Sequence, residues 1–386
     1  MTRKFTFAAV AALAVSGLAL SGCAGSDDAG SGAAGEEIVV GVALPTTGGS
    51  AVLGEPMKHG IEMAVQAIND AGGVDGAMIK VVHEDTGADD ATALNAFNRI
   101  TSSDPAAVIG FPVSTQGFAV MTQVDRTGIP VIVGGTNSKL ADASDWAFSM
   151  TSHDGITSTA AVEFASQTLG VKKVALLRES GELGTGAAEV VKDAADEFGY
   201  EVVTDQIFQT GDVDMSTQAN NLRSSGAEML FVYGQQADFI VAANALATAG
   251  VKVPTLLAGL QPGTYAELNY DGFETIYNRN QCVPSAATEG ALADWAAAYE
   301  SEFGAAPTEY AAIAYDGMML LGDALAAAGS TDPEAVRDAL TNLPASEGIC
   351  GAHSGSESGQ LSFGVTIGHY ENDTYVADET LSVDVE

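Results

Sequence analysis

The sequence predicts an α/β protein made of two doubly wound parallel-sheet lobes. Three observations point there. Short β-branched runs alternate with stretches of helical spacing, many of them closed by glycine. The alternation runs once from Glu37 and starts again at Lys172. With 386 residues, the chain is long enough for about two domains at roughly 100–200 residues each. Strands alternating with helices imply right-handed crossovers and a parallel sheet.

The first lobe reads element by element. EIVVGVAL (37–44) is a near-continuous apolar run, as a strand buried on both faces requires. Ile61, Val65 and Ile68 recur at helical spacing, and AGG at 71–73 ends that helix. MIKVVHED (78–85) is the second strand, and Leu94, Phe97 and Ile100 mark the second helix. AAVIG (106–110) and IPVIVGG (129–135) are the third and fourth strands.

The second lobe repeats the scheme. KKVALL (172–177) is a strand, and a helix from Gly186 to Phe198 stops at Gly199. EVVTDQIF (201–208) and MLFVYG (229–234) are strands, separated by a helix that ends at Gly226. A helix from Ala237 to Ala249 stops at Gly250, and VPTLLAG (253–259) follows. After Pro284 the chain becomes alanine-rich and helical over 289–329. Its apolar stretch AYDGMMLLGDAL is interrupted by Asp316 and Asp323, which predicts an amphipathic or buried helix and not a membrane span.

Charge narrows the function. Asp and Glu number 51 against 15 Lys and Arg, a formal net charge of −36. Such a surface repels nucleic acid and anionic headgroups, and no basic cluster follows the N-terminus. No nucleic-acid partner is expected. The acidity reads as solubility and identifies no cationic ligand.

The N-terminus reads as an export signal over residues 1–22: Arg3 and Lys4, then a mostly apolar run from Phe5 to Leu20. Leu20-Ser21-Gly22-Cys23 resembles the bacterial lipobox. That resemblance implies lipidation of Cys23 and anchoring on the outer face of the cell membrane. Residues 23–36 then form the lipidated cysteine and a flexible tether, since AGSDDAGSGAAG is small, polar and unable to pack. Cys282 and Cys350 remain. An exported chain sits in an oxidising space, so one disulfide between them is expected, the alternative being two unpaired buried thiols. Their spacing suggests no metal site, and no cofactor is expected.

Several stretches carry a family resemblance: EIVVGVALPTTGGSAVLGEPMKHGIEMAVQAINDAGGVDG, AVIGFPVST (107–115), VIVGGTNSKL (131–140), VKKVALLRESGELGTGAAEVVKDAADEFGYEVV (171–203), GDVDMSTQANNLRSSGAEMLFVYG (211–234) and AAIAYDGMMLLGDALAAAG (311–329). In order and spacing they resemble type I periplasmic solute-binding proteins, and within these the branched-chain amino-acid-binding subfamily of ABC importers. The resemblance implies two lobes joined by a three-segment hinge. Lobe one would be 37–150 plus 285–345, and lobe two 151–284 plus 346–386. Cys282 and Cys350 would then both lie in lobe two, close to different crossovers.

Ligands of doubly wound sheets bind beyond the carboxyl ends of the strands, near helix N-termini. The loops GFPVST (110–115) and GGTNS (134–138) occupy such positions. The resemblance assigns a ligand carboxylate to Pro112, Ser114 and Thr115 in one loop, and to Gly135 and Thr136 in the other. The plain alternative for each hydroxyl is a helix cap. Leu53 stands where the family often has an aromatic wall. The second lobe departs from the family: Leu183-Gly184 replaces a tyrosine before glycine, Gln235 or Gln236 replaces another tyrosine, and Leu260-Gln261 replaces the acid that meets the ligand's ammonium. Glu179 is a candidate substitute acid, with a solvated surface glutamate as its alternative. Three glutamines suit a neutral polar group, so the expected ligand is an amino acid or a related small polar or carboxylated solute. It would be captured by hinge closure and delivered by a monomer to a membrane permease. A solute sensor of the same fold is the second reading. A secreted hydrolase is the third, and no catalytic residue is assigned: His59, His83, His153, His353 and His369 form no HExxH pair, and no G-x-S-x-G elbow occurs.

Overall fold

The computed structural model describes residues 37–260, 262–268, 274–361, 364–371 and 374–382. Cys23, the signal and the tether lie outside them. The first sheet holds β1 (Glu37–Leu44), β2 (Met78–Asp85), β3 (Ala107–Gly110), β4 (Val131–Val133) and β5 (Ala147–Ser149). Its order is β2-β1-β3-β4-β5 and every pairing is parallel. Helices α1 (Ala51–Asp70), α2 (Asp90–Thr101) and α3 (Ser114–Thr127) link the strands. One face of the sheet packs Phe97, Ile100 and Val120 from α2 and α3. The other packs Met57 and Ile61 of α1 with helices that return from the end of the chain.

Residues 154–280 build the parallel part of the second sheet and its helices. α4 (Asp154–Glu163) leads to β6 (Lys173–Glu179), α5 (Glu182–Asp193), α6 (Ala195–Phe198) and β7 (Glu201–Phe208). Then come α7 (Ser216–Arg223), β8 (Met229–Tyr233), α8 (Gln236–Ala249), β9 (Thr255–Leu257), the short α9 (Pro262–Tyr265) and β10 (Ile276–Asn280). The chain then crosses to α10 (Gly290–Phe303), α11 (Glu309–Ala328) and α12 (Pro333–Thr341), which join the core of the first sheet. It finishes with the hairpin β11 (Ser346–Gly348) and β12 (Gly351–His353), then β13 (Gly364–Glu371) and β14 (Thr374–Ser382). The second sheet runs β14-β13-β10-β9-β8-β6-β7. Strands β6 to β10 pair in parallel, while β13 and β14 form an antiparallel edge.

Helix α11 is as long and apolar as a membrane span, yet its Met318, Leu321 and Leu325 are buried in the first-lobe core. Each such side chain contributes roughly 1.5–3 kcal/mol by leaving water. α1 crosses α11 closely because residue 60 is glycine: a Cβ there would stand 2.0 Å from the carbonyl oxygen of Ala311.

Three crossings lie side by side between the lobes. Ser149 N–H donates to the carbonyl of Gly359 and its own carbonyl accepts from Leu361 N–H. Gln281 bridges two crossings: its Oε1 accepts from Ser152 N–H at 2.8 Å and its Nε2 donates to the carbonyl of Met150 at 3.2 Å. Ser152 Oγ donates to the Gly364 carbonyl at 3.0 Å, and Gln360 Nε2 to that of Thr151 at 2.7 Å. Cys282 and Cys350 form a disulfide. Both cysteines and Leu361 are buried among first-lobe residues. Asp316 of α11, a helix of the first-lobe core, holds the 346–353 hairpin, a segment that the family resemblance places in the second lobe. That buried carboxylate accepts the N–H groups of Ile349 and Cys350 at 3.0 and 2.8 Å and lies 3.0 Å from His353 Nε2.

Candidate functional site

The site starts with the end of β3. Gly110 takes φ 147°, and a Cβ there would stand 2.1 Å from the Ala43 carbonyl oxygen. Only glycine lets the backbone turn so close to β1. α3 then begins at Ser114 behind Val113, which offers no side-chain cap, and no acid occupies the first turn. The first N–H groups of α3 are therefore left for an outside acceptor. Ser114 is not the cap that the plain reading allowed. Its Oγ instead accepts from Asn137 N–H at 3.3 Å, in the loop after β4. Gly135 is buried against it, since a Cβ at 135 would stand 2.7 Å from Ser114 Oγ. Pro112 is half-buried, and Thr115 is exposed on the first turn. Leu53 is half-buried in the first turn of α1, after β1 on the same sheet edge.

Thr136 joins this loop to the first crossing. Its carbonyl accepts from Asp154 N–H at 2.9 Å and its Oγ1 donates to Asp154 Oδ2 at 3.2 Å. Asp154, the first residue of α4, also pairs through Oδ1 with Arg279 Nη2 at 3.4 Å. Burial pushes the Asp154 carboxyl above the ordinary range, while the Arg279 charge and the Thr136 hydrogen bond pull it back. Tyr310, at the start of α11, has its hydroxyl pushed up by burial, with the charges of Glu309 and Asp154 adding to it. The sequence reading missed Asp154, Arg279 and Tyr310. An acid in a helix first turn is commonplace, and Arg279 lies 125 residues away.

A cavity of about 800 Å³ opens between the lobes. Asn137, Ser138, Lys139 and Asp154 form one wall; Ser180, Leu183 and Val190 lie on the other. That volume is in the range of small-molecule sites, roughly 300–1,000 Å³. Leu183 is the second-lobe candidate on its lining. Ser114 and Thr136 stand one hydrogen bond behind it, through Asn137 and Asp154, and Gly135 packs against Ser114. The other second-lobe candidates have structural bonds. Glu179 is 6% exposed and accepts from Thr210 Oγ1 at 2.6 Å, so it is neither a surface residue nor open to a ligand amine on that oxygen. Gln236 Nε2 donates to the Gly259 carbonyl at 2.9 Å. Gln235 is exposed at the start of α8, where Asp238 Oδ2 accepts its N–H at 2.8 Å. Leu260 is buried in the second-lobe core, and Gln261 lies outside the described residues.

Comparison with known proteins agrees with this architecture. An amino acid binding protein of Pseudomonas aeruginosa is 30% identical over 201 residues, 51% of this chain and 54% of that protein, so the match spans about half of that relative. A Leu/Ile/Val-binding protein homolog of Brucella abortus is 25% identical over 326 residues, 84% of this chain and 87% of its own. An ABC transporter substrate-binding protein from Desulfitobacterium hafniense, solved in complex with Leu, superposes with a TM-score of 0.76 at 24% identity. That superposition covers 89% of this chain and 100% of the other, and it shows the shared fold. The family model for periplasmic binding proteins matches residues 37–374, and the chain belongs to that family.

Proposed function

We propose that this chain is the extracytoplasmic substrate-binding component of an ABC importer. It captures an amino acid or a related small carboxylated solute by closure of its two lobes and presents it to a membrane permease. The observation that carries the reading is the uncapped start of α3 beside Ser114, Gly135 and Thr136, at the edge of an interlobe cavity. Neutral donors and a helix N-terminus stabilise a carboxylate without a buried cation. Pro112 and Thr115 add a backbone and a hydroxyl group from the same turn, and Leu53 and Leu183 give apolar walls. No bond is made or broken. Closure removes the solute from water and alters the surface offered to the permease, so binding shifts the equilibrium toward the closed form.

The export signal, the lipid on Cys23 and the monomeric state belong to the same proposal and rest on the sequence. The experiment is a thermal-shift screen against amino acids, amides, aromatic acids and nucleosides. A solute bound only by the folded chain raises the melting temperature with concentration. Ser114→Ala with Thr136→Ala abolishes the shift from a carboxylate solute on this reading; an unchanged shift in that double variant places the pocket elsewhere. Cys23→Ser moves the protein from the membrane fraction to the soluble one.

A further inference from the structure

We propose that the chain carries a second ligand site, a cage for a small quaternary ammonium, in the cavity walled by Tyr370, Tyr375 and Glu309. This site goes beyond the function proposed above and does not rest on it. The cavity holds about 430 Å³, within the roughly 300–1,000 Å³ usual for small molecules. Its walls come from three places. Pro307 and Glu309 belong to the start of α11 in the first lobe, Cys282 and Pro284 to a crossing, and Tyr370 and Tyr375 to β13 and β14 of the second sheet. It shares no lining residue with the larger interlobe cavity. β10 keeps the two apart. Successive side chains of a strand point to opposite faces: Asn278 and Asn280 line this cavity, while Arg279 between them reaches Asp154 on the wall of the other.

The lining selects for positive charge. Among the described residues on it, Glu309 is the one charged side chain, and no lysine or arginine is present. The rings of Tyr370 and Tyr375 stand 5.5 Å apart with their planes at 74°, so together they form a corner. Tyr265 stacks on Tyr370 at 3.8 Å and 15°, which fixes that ring in place. Aromatic faces attract a cation lying within about 6 Å of the ring centroid. Burial pushes the Tyr370 and Tyr375 hydroxyls up, and the Glu309 charge adds to both, so one carboxylate is felt by both rings. An anion would meet like charge here and no counter-ion.

Hydrogen bonding then decides between kinds of cation. A primary ammonium brings three N–H donors, each of which needs an acceptor once it leaves water. The amide oxygens on the wall are already engaged. Asn278 Oδ1 accepts the N–H groups of Gly259, Leu260 and Arg279, and Asn280 Oδ1 accepts from Asn278 Nδ2 at 3.4 Å. The Tyr375 hydroxyl donates to the Thr366 carbonyl at 3.3 Å. A quaternary ammonium has no N–H to satisfy. Two ring faces, one carboxylate and the apolar surfaces of Pro284 and Pro307 meet all that it needs.

The test is calorimetric titration of the full chain with three probes: choline, its neutral carbon isostere dimethylbutanol, and ethanolamine, which has the same body on a primary ammonium. Physiological salt, about 0.15 M, screens the acidic surface. Choline is expected to bind about tenfold or more tightly than either of the others. Glu309→Gln and Tyr370→Leu should each weaken choline about fivefold or more, while Tyr370→Phe, which keeps the ring, stays within about twofold of wild type. Ala306 is exposed on the cavity lining, so Ala306→Trp should fill the cavity and abolish binding. Leu183→Trp, in the interlobe cavity, should leave it unchanged. Ala306→Trp and Glu309→Gln keep the test decisive even where Tyr370→Leu does not fold. No choline binding, or equal binding of the neutral isostere, overturns the cage. Tighter binding of ethanolamine overturns the quaternary class. Loss of choline in Leu183→Trp with retention in Ala306→Trp puts the cation in the interlobe cavity and overturns the second site. None of these results bears on the proposed function, which the thermal-shift screen tests separately.

Discussion

Removing the Cys282–Cys350 disulfide gives the sharpest test of how the crossings are held. The bridge closes a loop of 68 residues that contains α10, α11 and α12. The chain-entropy relation gives about 15 cal/mol/K for a loop of that length, or about 4 kcal/mol at room temperature. Spread over a fold of roughly 350 residues, whose unfolding entropy is near 2.1 cal/mol/K per residue, this lowers the melting temperature by about 6 °C. The variant is Cys282→Ala with Cys350→Ala, because alanine leaves no buried hydroxyl to satisfy. Urea unfolding followed by circular dichroism reads the free energy, and calorimetry reads the melting temperature. Wild type in dithiothreitol should fall to the level of the variant. The hairpin itself should persist in the variant, since Asp316 holds the N–H of Cys350 independently of its sulfur. A loss below about 1 kcal/mol, or a variant that still responds to dithiothreitol, refutes the loop-closure account.

The remaining predictions follow from single sites. Asp316→Ala strands two N–H groups and a buried histidine and should cost about 3 kcal/mol, with fast amide exchange confined first to residues 346–353. Gly60→Val must push α1 off α11, because even a Cβ has 2.0 Å to the Ala311 carbonyl; a loss of about 2–3 kcal/mol in urea is expected, and no loss would mean the helices are not in close contact. Burial acts against ionisation of Asp85, yet hydrogen bonds from the Thr47 hydroxyl and the N–H groups of Gly87, Thr46 and Thr47 hold its carboxyl down at about 2, from an ordinary 3.8. Its folded value is depressed, so its stabilisation is present above 3.8 and lost as pH falls through 2; Asp85→Asn should flatten the stability curve across that window.

The most legible strands were apolar, β-branched runs: β1, β3, β4, β6 and β8 are buried over nearly their whole length; β2 and β7 were legible as well, although most of their residues are only half-buried. β10 was not legible. It reads IYNRN, and its Asn278 and Arg279 are buried polar residues serving neighbours distant in sequence. Asn278 Oδ1 accepts from Gly259 and Leu260, closing the turn after β9, while Arg279 reaches Asp154. Periodicity rewards apolar burial and is blind to a strand whose interior is paid for by hydrogen bonds. β5 has three residues, and β13 and β14 form an edge hairpin with half-exposed polar positions. Among the proposed site residues, Ser114 and Thr136 stand out in the sequence because each follows a readable strand. Asp154 and Arg279 do not, because neither has meaning until the two crossings that carry them are adjacent.

That adjacency constrains how the proposed closure can occur. Gln281, Ser152 and Gln360 bridge the crossings while 7%, 4% and 2% exposed, so a bond broken among them would not be replaced by water. Each buried group left unsatisfied costs about 1–3 kcal/mol. A shear that slid one crossing past another would break several at once and cost more than the roughly 1–3 kcal/mol by which an effector commonly shifts a conformational equilibrium. A rotation about an axis through the bundle keeps every bridge, because its atoms hardly move near the axis. The amplitude must then be absorbed just outside the bundle. On the lobe-two side the first such place is Asp154, which joins the loop after β4 through the Thr136 carbonyl and hydroxyl at 2.9 and 3.2 Å and pairs with Arg279 of β10 at 3.4 Å. These contacts lie beside the cavity, so closure must carry Asp154 and the Thr136 loop together or exchange the bonds between them.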